Sequence, residues 1–254
     1  MKKRWLRFLL LGVGAYFLFL IATFPAAYAY KVVKENLEGV SLSGIDGSIW
    51  SGSAYQLRAG KMQLQEIQWR FNPWPLMLGR VELKLTGRDE GTDFRVLVGR
   101  TLGGAIYFRG LNGEMPVGTL QRMTPYSVPA LEGELLFENV KMGLAEGRIV
   151  EAEGVVFWQE AAVKVGAPVK LGNFSLELQT ENEKIVGEIR DAGGPLQAEG
   201  YLNLAPEGAY QLKIVLTPRE SDGVLAKRLR ILGSPDVNGS YTLQYSGNLA
   251  IPAL

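Results

Sequence analysis

Pairs of carboxylates are the side chains in this sequence that come nearest to an arrangement for chemistry. Glu132 and Glu134 alternate along one stretch, and Glu151 and Glu153 alternate along another. Alternate residues of a strand share a face, so each pair could perform acid–base work. No base, nucleophile or metal ligand is indicated near either pair. We therefore interpret both pairs as parts of solvated strand faces.

The residue types that most catalytic sites use are absent. The 254 residues include no histidine and no cysteine. The commonest general base and the commonest metal ligand are thereby removed, together with thiol nucleophiles, thiolate metal sites and disulfides. The sequence predicts a protein that is not an enzyme and that holds no cofactor and no metal ion.

Phosphate and nucleic-acid binding are also disfavoured. Residues 100–105 (RTLGGA) contain two adjacent glycines. Neither of the phosphate-binding patterns GxGxxG and GxxxxGK(S/T) occurs in the chain beyond the N-terminal segment, so we interpret the glycine pair as a hairpin turn. The net charge is +1, and no basic stripe with interleaved aromatic residues occurs. We expect no nucleic-acid partner.

Residues 43–85 organise the rest of the chain. The block 47–52 (GSIWSG) predicts a short strand, a turn and a second strand, because glycine permits positive φ and the tryptophan buries a large ring. Residues 63–71 alternate between apolar and polar, and 72–75 (NPWP) end this strand because proline cannot donate to a ladder. Residues 81–86 alternate again. The stretch therefore predicts two amphipathic strands joined by a rigid aromatic corner.

The N-terminus predicts a membrane anchor. Residues 1–7 form a basic tail, and 8–30 contain no charged residue. As a helix, 8–30 would span about 34 Å, and a hydrocarbon core is about 30 Å thick. The preceding basic residues predict a cytoplasmic N-terminus, with the chain from residue 31 onward on the far side. A signal peptide cleaved after Ala29 is the alternative, since Ala27-Tyr28-Ala29 resembles a cleavage site. We favour the uncleaved anchor because the whole span is long.

Beyond the anchor, short alternating stretches separated by turn signals predict an all-β domain over 31–254. The predicted fold is a meandering antiparallel β domain, either a curled sheet or a sandwich. Two short helices are predicted, at 115–125 and at 225–232. Each follows a group of strands, so the domain divides into two similar halves, 40–125 and 129–254.

Aromatic and aliphatic residues recur at alternate strand positions throughout the chain. A closed sandwich core is one interpretation of this pattern. The other is a curled sheet with an open apolar groove, which could hold an acyl chain or shelter a strand of another protein. The sequence leaves open whether a second sheet closes this face. The candidate groove residues are Phe71, Phe94, Phe174, Leu176, Tyr210 and Tyr241.

Several short motifs together carry a resemblance. The block 47–52, the segment 69–73 (WRFNP), Leu78-Gly79, the segment 154–158 (GVVFW) and the turn 191–196 (DAGGPL) occur in this order. In these motifs the chain resembles the type II secretion system protein N family (general secretion pathway protein N). The resemblance implies structural roles for Gly47, Trp50, Gly52, Trp69, Pro73, Gly79, Gly154, Trp158, Gly193, Gly194 and Pro195.

The resemblance also implies a location and a role. It implies an accessory component of the type II secretion system, anchored once in the bacterial inner membrane with most of the chain in the periplasm. Such a component would act in protein secretion across the outer membrane through contacts with other subunits, at the inner-membrane platform or the secretin, in assembly or stabilisation. The alternative is a cell-envelope lipid-binding or lipid-transfer module that uses the apolar groove. The chain also resembles the AsmA-like lipid-transfer proteins, but more weakly than it resembles the secretion family.

Overall fold

One antiparallel sheet dominates the structure. The structure is a computed structural model, and it describes residues 2–34, 39–59, 62–89, 91–121, 130–165, 167–220, 223–229 and 235–249. Within these ranges, thirteen strands form a single sheet in which every strand pairs with the next one in the sequence. The strands are β1 (Val40–Gly47), β2 (Ser51–Ala59), β3 (Met62–Asn72), β4 (Arg80–Asp89), β5 (Thr92–Thr101), β6 (Ile106–Pro116), β7 (Ala130–Ala145), β8 (Arg148–Val165), β9 (Ala167–Glu181), β10 (Lys184–Asp191), β11 (Leu196–Leu204), β12 (Ala209–Pro218) and β13 (Tyr241–Asn248).

Short helical segments flank the sheet. They are α1 (Lys2–Ala22), α2 (Ala26–Val33), a 3₁₀ turn (Trp74–Leu78), α3 (Val117–Gln121) and α4 (Val224–Leu229). The antiparallel β prediction is confirmed. A sandwich is wrong for the described part of the chain, because all of its strands belong to one sheet. Strands β6 and β7 pair across the predicted boundary between the halves, and the division into two similar halves stays a prediction.

The helix predicted over 8–30 is wrong in its extent. Helix α1 ends at Ala22 and α2 begins at Ala26, with Pro25 between them at φ −69° and ψ 134°. Proline lacks the amide that would continue the helix, and it pushes the preceding residue to extended geometry. Pro25 instead forms a β-bridge with Ser48. Among the described residues, we find no helix with the length and apolar character needed to cross a membrane.

Helices occur at both positions predicted beyond the N-terminus, and the first of them begins later than expected. Strand β6 continues through Pro116, so α3 occupies only Val117–Gln121 of the predicted range 115–125. Helix α4 ends at Leu229. The remaining parts of both predictions, 122–125 and 230–232, lie outside the described residues.

Bulges interrupt the register in the middle of the sheet. In one row across β6 and β7, Gly110 and Asn139 have φ of 59° and 46°. The Asn139 amide donates to Oδ1 of Asn112 (3.0 Å). In a second row, across β8 and β9, Glu160 has φ of 48°, and its amide donates to Oδ1 of Asn173 (2.8 Å). A bulge bends its strand and increases the twist, and these asparagines bind the amides that leave the ladder.

The bends bring distant turns together. The Ile149 amide, at the start of β8, donates to the carbonyl of Pro206 in the β11–β12 turn (2.9 Å). Beneath this contact, Ile149, Ala152, Ile185 and Leu204 form a buried cluster. The sheet therefore curls at this end, so that the face of β8 meets the face of β11.

A second cluster closes the opposite end of the same strands. Leu196 and Tyr241 of the sheet pack against Leu229 of α4. Apart from Ile185 and Leu196, no large side chain of the described residues is less than 2 % exposed. The two largest fully buried side chains thus belong to these two clusters, whereas other buried residues, such as Leu64, Ile67 and Val96, lie elsewhere along the sheet.

Candidate interaction surfaces

The sheet register places the six predicted groove residues on one face. Residues that pair directly across neighbouring strands point to the same side of a sheet. Phe94 joins Leu176 through one row of pairs, and Phe71 joins Ala152 of β8 through another. Phe174, Tyr210 and Tyr241 stand at alternate positions to members of the first row, in β9, β12 and β13. The first row continues from Phe94 through Gly113, Phe137, Val156 and Leu176 to Ile189, Gly200, Ile214 and Leu243.

The six residues differ in how far they are covered. Tyr241 is 5 % exposed, since it belongs to the cluster that α4 closes. Phe174 packs at the edge of that cluster, and Tyr210 packs at the edge of the cluster around Ile185. Phe71, Phe94 and Leu176 are half-buried. The structure thus brings the six together on a partly covered apolar face, which we call the apolar face. That this face is a binding groove stays a prediction.

The block 47–52 forms a tight β1–β2 turn. Gly47 has φ of 87°, and a Cβ on Gly52 would come within 2.5 Å of both the Asp46 carbonyl oxygen and Cζ2 of Trp69. The amide of Ser48 donates to the carbonyl of Ser51 (2.9 Å). Both glycines are therefore needed for close approach of the backbone.

Two indoles bind backbone carbonyls around this turn, and one of them binds α1. Trp50 donates from Nε1 to the carbonyl of Ile21 in α1 (2.8 Å) and packs edge-on against Phe71 (5.0 Å between centroids). Trp69 donates from Nε1 to the carbonyl of Ser48 (3.1 Å). Trp50 was expected to bury its ring, but both tryptophans are half-buried. Their contacts instead join the helix, the turn and strand β3.

The aromatic corner between β3 and β4 is rigid but exposed. Pro73 precedes the 3₁₀ turn, and Gly79 ends it with φ of 69°. The carbonyl of Gly79 accepts a hydrogen bond from the Leu102 amide (2.9 Å), which ties the corner to the β5–β6 turn. Trp74 is 75 % exposed and Met77 is 82 % exposed. Sequence reasoning missed this exposed surface, although apolar residues within turns were a usable signal.

In the second half of the chain, the motif residues also support the backbone. Gly154 has φ of 121°, and a Cβ there would come within 2.6 Å of the Val140 Cα in the neighbouring strand. Trp158 donates from Nε1 to the carbonyl of Glu132 (3.1 Å), and its ring lies 5.9 Å from that of Phe174. These residues hold the bulged strands β7, β8 and β9 together.

The Gly193-Gly194-Pro195 turn is held by an arginine. Arg219 donates from Nε to the carbonyl of Gly194 (2.9 Å) and forms an ion pair with Asp191. The backbone amide of Arg219 donates to the carbonyl of Pro195 (2.9 Å). The side chain of Asp191 is only 14 % exposed because it lies in this arrangement.

The carboxylate pairs are not assembled into a catalytic arrangement. Glu153 forms an ion pair with Lys141 (3.0 Å), and Glu132 lies 3.9 Å from Lys164. A shallow open pocket beside Glu153 also contains Glu177, which accepts a hydrogen bond from Gln179 (3.0 Å). No group of three or more potential metal ligands occurs within the described ranges.

The environment of Tyr107 makes its hydroxyl less acidic than that of a free tyrosine. Its ring lies over Gly99, and its hydroxyl donates to Glu82 across the sheet (2.7 Å). Burial, followed by the hydrogen bond to Glu82 and the charge of Glu82, raises the pKa of Tyr107 above its ordinary value of about 10. Arg109 stacks on the ring at 4.6 Å and opposes this shift. The arrangement links three strands and lies on the face opposite to the apolar face.

Comparison with known proteins gives the family. The profile described as "Type II secretion system (T2SS), protein N" matches residues 38–244, which include nearly all of the sheet. A type II secretion system protein N from Aeromonas hydrophila is 25 % identical over 241 residues, covering 92 % of this chain and 95 % of that protein. A protein of the same name from Vibrio cholerae serotype O1 is 27 % identical over 219 residues, covering 84 % and 86 %. No solved structure matches this chain. The chain belongs to the type II secretion system protein N family, and is thus a component of that secretion system.

Proposed function

We propose that this protein is an accessory component of the type II secretion system that acts by protein contact, in assembly or stabilisation of the machinery, and not by catalysis. The observation that carries the proposal is the family match over 38–244, which follows the sheet from β1 into β13. The contacts would involve other subunits of the system, at the inner-membrane platform or the secretin.

The N-terminal segment would anchor the chain in the inner membrane, with the sheet in the periplasm. Every side chain of 8–22 in α1 is exposed, on all sides of the helix, and none is charged. A helix that is apolar all round is stable when its surroundings are apolar. The basic residues of 1–7 favour a cytoplasmic N-terminus.

Topology can be tested by single cysteines, because the chain contains none. In intact cells, a periplasm-restricted maleimide should label Val237→Cys and should not label Lys3→Cys until the cells are lysed. N-terminal sequencing of the membrane-extracted protein should begin at or near Met1. A mature start at Tyr30 would support the cleaved signal peptide instead.

The contact proposal predicts crosslinks that depend on the machinery. A photoreactive amino acid that replaces the exposed Tyr55, on β2, should crosslink to another subunit in cells that assemble the system. Deletion of the gene that encodes this chain should reduce secretion. The control is the same variant in cells that lack the other subunits. A normal level of secretion in the deletion strain, under conditions where secretion depends on the rest of the system, would contradict the proposal.

Lipid binding is the second candidate, and the apolar face favours it. Phe71, Phe94 and Leu176 are half-buried on one sheet, with no second sheet among the described strands to cover them. The protein purified in detergent and analysed by native mass spectrometry should then carry stoichiometric lipid. Leu176→Arg should lose the lipid while keeping the circular dichroism spectrum of the parent. A lipid-free parent protein would exclude this candidate.

A further inference from the structure

Two neighbouring turns expose a group of large apolar side chains, which we call the turn patch. It contains Trp74, Leu76, Met77 and Leu78 of the 3₁₀ turn and Leu102 of the β5–β6 turn. Their exposed fractions are 75 %, 45 %, 82 %, 77 % and 90 %. The contact between Gly79 and Leu102 holds the two turns together, so the patch is continuous. Soluble surfaces seldom expose large contiguous apolar areas without a binding role.

The turn patch lies at the same end of the sheet as the end of α1. In an antiparallel meander, the turns that follow β1, β3 and β5 share one end. The β1–β2 turn binds α1 through the Trp50 hydrogen bond to Ile21, and Trp50 packs on Phe71 directly before the corner. The backbone amide of Phe71 also donates to the carbonyl of Trp50 (2.7 Å). A short and well-bonded path therefore joins the exposed apolar helix to the exposed apolar turns.

Basic side chains flank the turn patch. Arg70 lies near the end of β3, Arg80 opens β4 and Arg100 lies near the end of β5, and all three are exposed. None of the three forms an ion pair with a described residue. Arginine side chains suit the phosphates of a lipid headgroup, and tryptophan is favoured at the boundary between headgroups and acyl chains.

Later turns at the same end have a different character. The turns that follow β7, β9 and β11 contain Glu146, Glu183 and Glu207, and none of them contains a large apolar residue. An anionic surface attracts the first group of turns and repels the acidic side chains of the second. Because the sheet curls beyond β6, only the first three turns need to approach a flat surface.

We propose that the turn patch inserts into the headgroup region of the membrane that holds α1, as a second and independent contact with a phospholipid surface. The inference rests on the proposed N-terminal anchor, and it adds an orientation to that anchor. The helix and the turn patch together define two points of attachment. The sheet is then held at a fixed tilt to the membrane, which a helix alone would leave free.

The experiment uses the full chain reconstituted into vesicles of phosphatidylethanolamine and phosphatidylglycerol. Leu102→Cys carries an environment-sensitive nitrobenzoxadiazole label, and lipids with a spin label near the headgroup serve as quenchers. Val237→Cys is the matched control, because Val237 is a fully exposed apolar turn residue that precedes β13, at the opposite end of the sheet. Phe17→Cys in α1 reports separately on the anchor.

The expected result is a blue-shifted and quenched label at Leu102, together with an aqueous and unquenched label at Val237. Replacing Arg80 and Arg100 by glutamine should reduce quenching at Leu102 and leave that at Phe17 unchanged. A label at Leu102 that behaves like the one at Val237, while Phe17 is quenched, overturns the inference and leaves the anchor intact. An aqueous label at Leu102 that becomes protected only when other secretion subunits are added also overturns it, because the occupant is then a protein. An aqueous label at Phe17 refutes the anchor, whatever Leu102 reports.

Discussion

Two adjacent glycines in the 191–196 turn allow two effects of an alanine substitution to be compared: backbone strain, and collision of the new Cβ with neighbouring backbone. Gly193 and Gly194 have φ of 107° and 131°, so alanine is strained at either position. Around Gly193 no heavy atom lies within 4 Å of the position that a Cβ would take. At Gly194 the Cβ would fall well inside van der Waals contact of the Gly172 Cα, and 3.4 Å from the Leu171 carbonyl oxygen.

The expected cost of each substitution follows from these differences. A non-glycine residue in a sparsely populated backbone region costs about 1–3 kcal/mol, and this applies to both Gly193→Ala and Gly194→Ala. Overpacking adds about 1–3 kcal/mol at Gly194 alone, since the neighbour there is backbone and cannot rotate away. For a domain of this size, about 1 kcal/mol corresponds to about 2–4 °C in the thermal midpoint. Gly194→Ala should therefore melt below Gly193→Ala by roughly 2–12 °C.

Thermal unfolding of the two purified variants, followed by circular dichroism in the same detergent, measures this difference directly. Equal midpoints for the two variants, or a lower midpoint for Gly193→Ala, would refute the reasoning. Such a result would mean that the β10–β11 turn does not approach β9 at Gly172 as closely as the structure places it.

Three further predictions follow from contacts of single side chains. Trp50→Phe keeps an aromatic ring but removes the hydrogen bond to α1, so unfolding should become easier by about 0.5–1.5 kcal/mol in a denaturant titration. Tyr107 has a raised pKa in the fold, so the stability from its bond to Glu82 is present below pH about 10 and is lost as the pH rises through that raised pKa; melts of Tyr107→Phe should show a smaller alkaline decline than the parent. Asp191→Ala should destabilise by about 1–3 kcal/mol because it removes the ion pair with Arg219, whereas the exposed Glu134→Ala should stay within about 0.5 kcal/mol in the same assay.

The alternation of apolar residues was enough to predict the strands and their antiparallel order. Residues 63–71 read correctly as a strand, and Pro73 and Gly79 marked the corner that follows, because these signals are local. The bulges could not be predicted. The bulge at Asn139 depends on Asn112, which lies 27 positions away and accepts a hydrogen bond from the Asn139 amide. Asn139 has a positive φ although it is not a glycine, so the residue type does not mark this position in the sequence.

The sequence was enough to predict which residues share the apolar face, but not how exposed those residues are. A period of two placed Phe94 and Leu176 on matching faces of their strands, and the register joins them in one row. Whether a second layer covers that row depends on how distant strands pack, and period two contains no information about it. For the same reason the sequence could not place Asp191, since its partner Arg219 comes from a strand end 28 positions away.

The motif residues share a physical role, and it bears on the choice between contact and chemistry. Gly52, Gly154 and Gly194 allow backbone to approach where any side chain would collide. Trp50 and Trp158 use their indoles to bind backbone carbonyls of α1 and of β7. None of these groups can transfer a proton at neutral pH, and none presents a charge to a ligand. Such residues maintain the course of a long curled sheet, and a protein that acts through contacts along its length depends on that course. The dependence gives a simple expectation: substitutions that shift the sheet, such as Gly194→Ala, should impair secretion in proportion to their loss of stability.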